Sequence, residues 1–250
     1  MRASSVAVSF AALCVCASAA QAQGKFPPDS LVNTKVIPHS TPPIQVIGMM
    51  RNFAIDLGVR CQFCHVGEEG RPLDQFNFAT DEKRTKLVAR QMMLMVQEVN
   101  RRVDSVPGHQ PEDPQVTCAT CHRGVSKPMP LFAVIVAADN AGGADSATRA
   151  YRAIRQRYYG SGAYDFSEGQ LNTAAFRLGR ANKVDDALAL LALNEEFYPK
   201  SSGMYVFRGN VLLMKADTAG AERAYREAIR RDSTNAEAKG RLRDIGRAPH

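Results

Sequence analysis

The chain has 250 residues, with 32 Lys and Arg against 25 Asp and Glu, a formal net charge of +7. That length allows one large domain or two modest ones, and 45% hydrophobic with 23% charged residues is the balance of an ordinary folded protein. The basic excess is spread thinly, without dense Lys/Arg runs or interleaved aromatics. It excludes a nucleic-acid partner and suits an acidic protein or an anionic membrane face.

The first residues read as a secretory signal spanning 1–22. Arg2 is the basic flank, Val6 to Cys16 the apolar stretch and Ala20-Gln21-Ala22 the small-residue cleavage site. Leu13 and Val15 stand where a lipid-anchored form needs a small residue before its acylated cysteine, which disfavours that anchor. Removing the signal discards Cys14 and Cys16 and leaves four cysteines in an exported, periplasmic chain. No tract of about eighteen apolar residues occurs, so the sequence shows no clear spanning helix.

Residues 23–43 form a leader in which Pro27-Pro28, Pro38 and Pro42-Pro43 favour extended backbone. From Ile44 to Leu57 apolar residues fall at helical spacing, and Gly58 is placed to close that helix in a left-handed cap. Residues 66–80 are polar and read as a loop. A second helix is expected from Asp81 to Arg102, with Asp81 and Glu82 at its positive end and Arg101-Arg102 at its negative end. Val88, Met92, Val96 and Val99 make its apolar face. Proline and glycine at 107, 108, 111 and 114 then form a loop. Leu131 to Ala137 is an apolar run that fits either a strand or a segment wrapped on the preceding domain, and 140–144 reads as a linker.

Directly after each helix or its following loop stands the pattern Cys-x-x-Cys-His: Cys61-Gln-Phe-Cys64-His65 and Cys118-Ala-Thr-Cys121-His122. Two thiols at this spacing can each add to one vinyl group of a haem, and the adjacent histidine then offers a nitrogen to the iron. The competing readings are weaker. Zinc ribbons bring paired Cys-x-x-Cys units much closer than the 53 residues between Cys64 and Cys118. Disulfides leave both histidines unexplained, and a thioredoxin-like pair lacks its strand and helix. Cys61, Cys64, Cys118 and Cys121 are therefore the attachment residues for two covalent haem c groups, with His65 and His122 on the irons.

A sixth ligand is less legible. A thioether suits iron, but a methionine on an apolar helix face is more often packing. From the residues alone Met50 competes with Met49, and Met92 with Met93 and Met95. His39 and His109 would give bis-histidine iron; both lie in Pro-rich loops and read as solvent-facing. Arg51, Arg60 and Arg90 are near enough in sequence to meet haem propionates, against a default of solvated charge.

Past residue 145 the chain repeats itself. A 34-residue offset pairs Leu171 with Tyr205, Leu178 with Leu212, Ala187 with Ala221 and Leu191 with Tyr225. This period resembles the tetratricopeptide repeat, with Pro199 ending a second helix. Leu171 and Tyr205 stand where that repeat usually has Trp, Ala175 where it has Gly (kept as Gly209), and Ser233 where it has the terminal Pro. Helices at 146–158 and 236–245 would flank the two units.

The stretch from about 44 to 126 resembles the cytochrome c subunit of photosynthetic reaction centres. The resemblance rests on Met50-Arg-Asn-Phe, on Leu57-Gly-Val-Arg-Cys-Gln-Phe-Cys-His65, on Ala89-Arg-Gln-Met92 with Asn100, and on Val116-Thr-Cys-Ala-Thr-Cys-His-Arg-Gly124. It implies a helix beside each haem that offers a methionine, making Met50 the sixth ligand of the first haem and Met92 that of the second. That subunit carries four haems and no repeat-like tail, so docking onto a reaction centre is not implied.

These readings define a mainly α protein: a dihaem cytochrome c domain over 23–139, built of repeated helix–CxxCH units, then a TPR-like helical stack over 145–250. The expected role is electron transport between redox protein partners, a membrane complex among the candidates, and not catalysis. A dihaem peroxidase is the enzymatic alternative, though no distal acid–base pair is evident. A docking module with an accessory redox domain is the third.

Overall fold

The computed structural model describes residues 25–248, and the expected signal segment lies outside them. Among the described residues nine helices account for the architecture: α1 Pro43–Leu57, α2 Arg84–Val103, α3 Cys118–His122, α4 Leu131–Tyr158, α5 Glu168–Arg180, α6 Val184–Phe197, α7 Gly203–Met214, α8 Thr218–Arg231 and α9 Ala236–Asp244. No strand is present among the described residues, where the only extended pairing is the bridge between Val66 and Asn77. The mainly α class expected from the sequence is the class observed.

Contacts divide the chain into two compact units. One takes in the leader, the start of α1 up to Met49 and residues 61–94; the other holds 50–60 and everything from Met95 onward. In the first unit the leader is fastened by Asn33. Its side chain donates to Asp81 Oδ1 at 2.8 Å and to the Ala79 carbonyl, and its own carbonyl accepts from Arg90 at 2.8 Å. Asn33 sits at φ 57°, a left-handed conformation that asparagine tolerates better than most residues.

Two expectations change here. The second helix begins at Arg84, not Asp81, and carries no acidic residue in its first turn. Asp81 is instead taken up by Arg90 at 2.8 Å and Lys86 at 3.3 Å, contacts stronger than a helix dipole offers one exposed carboxylate. The apolar run Leu131–Ala137 is helical, the first arm of α4, which breaks at Gly142 and Gly143. A buried Asp139, held by Lys183 at 2.5 Å, ties that arm to the turn between α5 and α6.

In the second unit, α4 to α9 enclose one apolar core that includes Leu131, Ile135, Tyr151, Leu190, Leu191, Tyr225 and Leu242, all at most 1% exposed. Burial of such a side chain stabilises by about 1.5–3 kcal/mol. Under a 34-residue shift the two ends of α6 fall on the two ends of α8. The repeat also shows in packing. A Cβ on Gly209 would come within 2.3 Å of the Tyr225 ring. At the equivalent positions of the first repeat Ala175 and Leu191 are fully buried. A smaller residue thus faces the larger ring.

The end of α1 is fixed in the same unit. Gly58 has φ 64°, as the left-handed cap requires, and Gly124 N–H donates to the Asp56 carbonyl at 2.8 Å. A Cβ on Gly58 would lie 2.0 Å from the Gly124 oxygen, a backbone atom with no rotamer to yield. Gly58→Ala therefore meets both a disfavoured φ and a clash, and should destabilise by more than about 1 kcal/mol, seen as a lower thermal midpoint. Gly48→Ala, where nothing lies within 4 Å, is the control expected to hold or raise it.

Candidate haem-binding sites

The two motifs are built differently. At the first, Cys61–Phe63 forms a single 3₁₀ turn, with the His65 N–H bonded to the Cys61 carbonyl at 2.9 Å. The N-terminal end of α2 grips this turn: Lys83 Nζ donates to the Gln62 carbonyl at 2.6 Å, and the Thr85 hydroxyl to the Phe63 carbonyl. At the second, Cys118–His122 is one turn of α-helix, opened by a capping box of Thr117 with Thr120 and closed by Arg123 at φ 49°. Asn100 clamps the approach to it, donating to the Val116 carbonyl at 2.9 Å and accepting the Val116 N–H at 2.8 Å.

Of the four motif cysteines, Cys61 and Cys121 are exposed and Cys64 and Cys118 half-buried. Burial pushes the Cys64 and Cys118 thiols above their ordinary range. Among the described residues no three His, Cys, Asp or Glu side chains converge on one point, as a closed zinc site would need.

The histidines are equally distinct. His122 Nδ1 lies 2.9 Å from the Val125 carbonyl, which can only accept, so Nδ1 carries the proton and Nε2 is left free to bind a metal. His65 Nδ1 is buried with no hydrogen-bond partner among the described residues. Burial first, then the charges of Lys86, Arg90 and Lys83, hold the His65 ring at a pKa of about 4. It is neutral at ordinary pH, the form that ligates iron.

The surroundings fit a large planar apolar group. Phe63, Leu87, Val88, Met92 and Leu94 in the first unit, and Ile55 and Met95 in the second, are all at least 37% exposed. Among the described residues before Leu131, Val46 alone is a buried apolar side chain. A segment with so little core of its own needs an apolar partner.

Met50 is half-buried, and its rival Met49 is 37% exposed; Met92 is 37% exposed, Met95 47%, and Met93 half-buried. Contacts group Met92 with the first motif and Met50 with the second. His39 is exposed and meets the Thr34 hydroxyl at 3.0 Å. His109 departs from its solvent-facing expectation: its side chain is 12% exposed, and Asp104 lies beyond hydrogen-bond reach at 3.7 Å. Arg90 departs likewise, 14% exposed and ion-paired. Sequence reasoning missed Asn33, Lys86, Phe78 and the Val125 carbonyl. All act through contacts distant in sequence or through backbone, so the local pattern carries no signal for them.

Two Cys-x-x-Cys-His turns, with apolar helix residues exposed in the same stretch of chain, are the arrangement by which c-type cytochromes bind haem. Residues 60–175 match the family described as photosynthetic reaction centre cytochrome C subunit. The matched stretch includes both motifs and Met92, and begins after Met50. No curated protein matches the chain. That family comprises haem c-binding cytochromes of electron transfer, and the chain is similar to it over this stretch.

The Asp81 cluster yields a pH signature. The Arg90 hydrogen bond, aided by those from Lys86 and Asn33, holds the Asp81 carboxyl at about 2, below its unfolded value. The stability it contributes is full above about pH 4 and is lost as pH falls toward 2. Asp81→Asn should lower the thermal midpoint at pH 7 and flatten its fall between pH 4 and 2, as calorimetry across that range would show.

Proposed function

We propose that the chain is an exported dihaem c-type cytochrome that passes single electrons between redox proteins on the periplasmic side of the cytoplasmic membrane. Cys61 and Cys64 tether one haem c, and Cys118 and Cys121 a second. His65 and His122 are the proximal ligands, and Met50 and Met92 the sixth ligands. The observation that carries this reading is the pair of complete Cys-x-x-Cys-His turns. Each is anchored by a side-chain hydrogen bond to a backbone carbonyl, Lys83 to Gln62 at the first and His122 to Val125 at the second, and both lie inside the family match. When bound, the haem supplies a one-electron iron couple, whose potential a thioether ligand raises.

The protein's part is to hold and orient. The thiols would fix the ring edge, and the Val125 carbonyl sets the tautomer of His122. The helix face bearing Val88 and Met92 would shield a bound haem from water. Lys83, Lys86 and Arg90 place positive charge beside His65, which favours the reduced state. No helix among the described residues is long and apolar enough to cross a membrane. The region 145–250 serves as a TPR-like stack for docking a protein partner, supported by the 34-residue recurrence of its helices.

Mass spectrometry of the mature protein should find two haems added covalently and the chain beginning after Ala22. Replacing Cys118 and Cys121 together with Ala should remove one haem and leave the other. Optical spectra should show six-coordinate, low-spin iron at both sites, and Met92→Ala should convert one site to high spin. A colourless mature protein, or one permanently high-spin haem in the wild type, overturns the proposal.

A further inference from the structure

An axial histidine must be held in rotation as well as in place, because its χ2 torsion is soft and the direction of the ring plane tunes the metal it binds. His122 is held by its hydrogen bond to Val125. His65 has no such bond among the described residues, and the charged groups that bear on it, Lys83, Lys86 and Arg90, are donors that cannot accept from Nδ1–H. Its orientation must come from packing.

The packing is specific. The Phe78 ring meets the His65 imidazole edge-on, with centroids 4.9 Å apart and planes at 66°. Phe78 is itself wedged between two rings: Phe76, stacked at 5.7 Å and 19°, and Phe26 of the leader at 5.6 Å. The loop carrying these residues turns back over the motif through Asn77 N–H to the Val66 carbonyl at 2.8 Å. It is also clamped by Lys86, whose Nζ donates to the carbonyls of Phe78 and Thr80 at 2.8 Å each. A Cβ on Gly67 would lie 2.4 Å from the Phe76 ring, so only glycine lets that ring lie against the backbone after the motif.

We infer that Phe78, braced by Phe26 of the N-terminal leader, is the positioning residue for the axial histidine of the first haem site, replacing by ring packing the hydrogen bond that orients the second. The inference rests on the reading of His65 as a proximal ligand. Residues 25–41 and 66–80 then form a brace against one face of one ligand. Because the two histidines are held by different devices, a change in the brace acts on one haem only.

The test is electron paramagnetic resonance and redox titration of the ferric, fully loaded protein. The first haem's signal is assigned from a variant with Cys118 and Cys121 replaced by Ala. Phe78→Ala should keep both haems, alter the g-value spread of the first haem's low-spin signal and shift its midpoint potential, leaving the second haem's signal and midpoint in place. Phe78→Tyr, which keeps the ring, should restore the wild-type signal; a loss of general stability would not discriminate in this way. Phe26→Ala should move the same signal in the same sense by less. Phe78→Ala with both haems bound and both signals at wild-type positions overturns the inference. If Phe78→Ala fails to load the first motif, Phe26→Ala decides, and an unmoved first signal there also overturns it. A wild-type protein without haem at Cys61 and Cys64 refutes the proposed function instead.

Discussion

Apolar burial is distributed so unevenly along this chain that the N-terminal part depends on something other than its own side chains. From Leu131 onward a continuous core of aliphatic and aromatic residues closes around six helices; before it, among the described residues, only Val46 is buried. Ordering a backbone residue costs about 1–2 kcal/mol, and hydrogen bonds return little of that unless apolar surface is also removed from water. The contacts that do organise the region are polar: Asn33 on Asp81, Lys86 on three successive carbonyls, Asn100 on Val116. They fix the geometry of turns without supplying a core. A pair of covalently tethered porphyrins would supply it, and the helices that carry the candidate ligands are also those that leave Leu87, Val88, Met92 and Ile55 open.

How far the sequence could be read follows from the range of the interactions. The two motifs were legible because their chemistry is local, with three residue types at fixed spacing. The helices α1 and α2 followed from 3.6-residue periodicity, and Gly58 from the cap it makes. The loop 66–80 gave only its polarity. Its order comes from the Val66–Asn77 bridge and from Phe76 lying on Gly67, pairings that no periodicity encodes. Leu131–Ala137 was ambiguous because a short apolar run fits a buried strand as well as a helix. What decides it is the fit of Leu131 and Ile135 against the following stack. His109 was misplaced for a related reason: a Pro-rich loop usually faces solvent, and only tertiary packing turns this ring inward.

Charge shows the same gap between composition and structure. The basic excess reads from the sequence as a surface property directed at a partner. Yet Lys86 and Arg90, at 11% and 14% exposed, are spent inside the molecule, where they hold the loop carbonyls and Asp81. Many of the tail's arginines are likewise engaged: Arg208 and Arg231 with Glu195, Arg226 and Arg247 with Glu222. Net charge counts these residues once each and is blind to which are already neutralised. The field around His65 is a separate matter, because Lys86, Arg90 and Lys83 all act on that ring and their effect does not require exposure.

The break in α4 joins these observations. Gly142 and Gly143 stand where the sequence indicates a linker, and they do leave helical geometry, Gly143 at φ 68°. But the arm before them is part of the C-terminal core, through Leu131 and Ile135 and through the buried Asp139 on Lys183. The chain leaves the second motif at Gly124 and is seated in the stack by Leu131. Val125 is still tied to His122, so only residues 126–130 lie between, and they contain Pro128 and Pro130, which restrict the backbone. The Cys118–His122 turn is thus coupled by a short, stiff connection to the helical core that follows it. In this protein the glycine pair bends a helix of the C-terminal core, and the joint between the second motif and that core lies earlier, at residues 126–130.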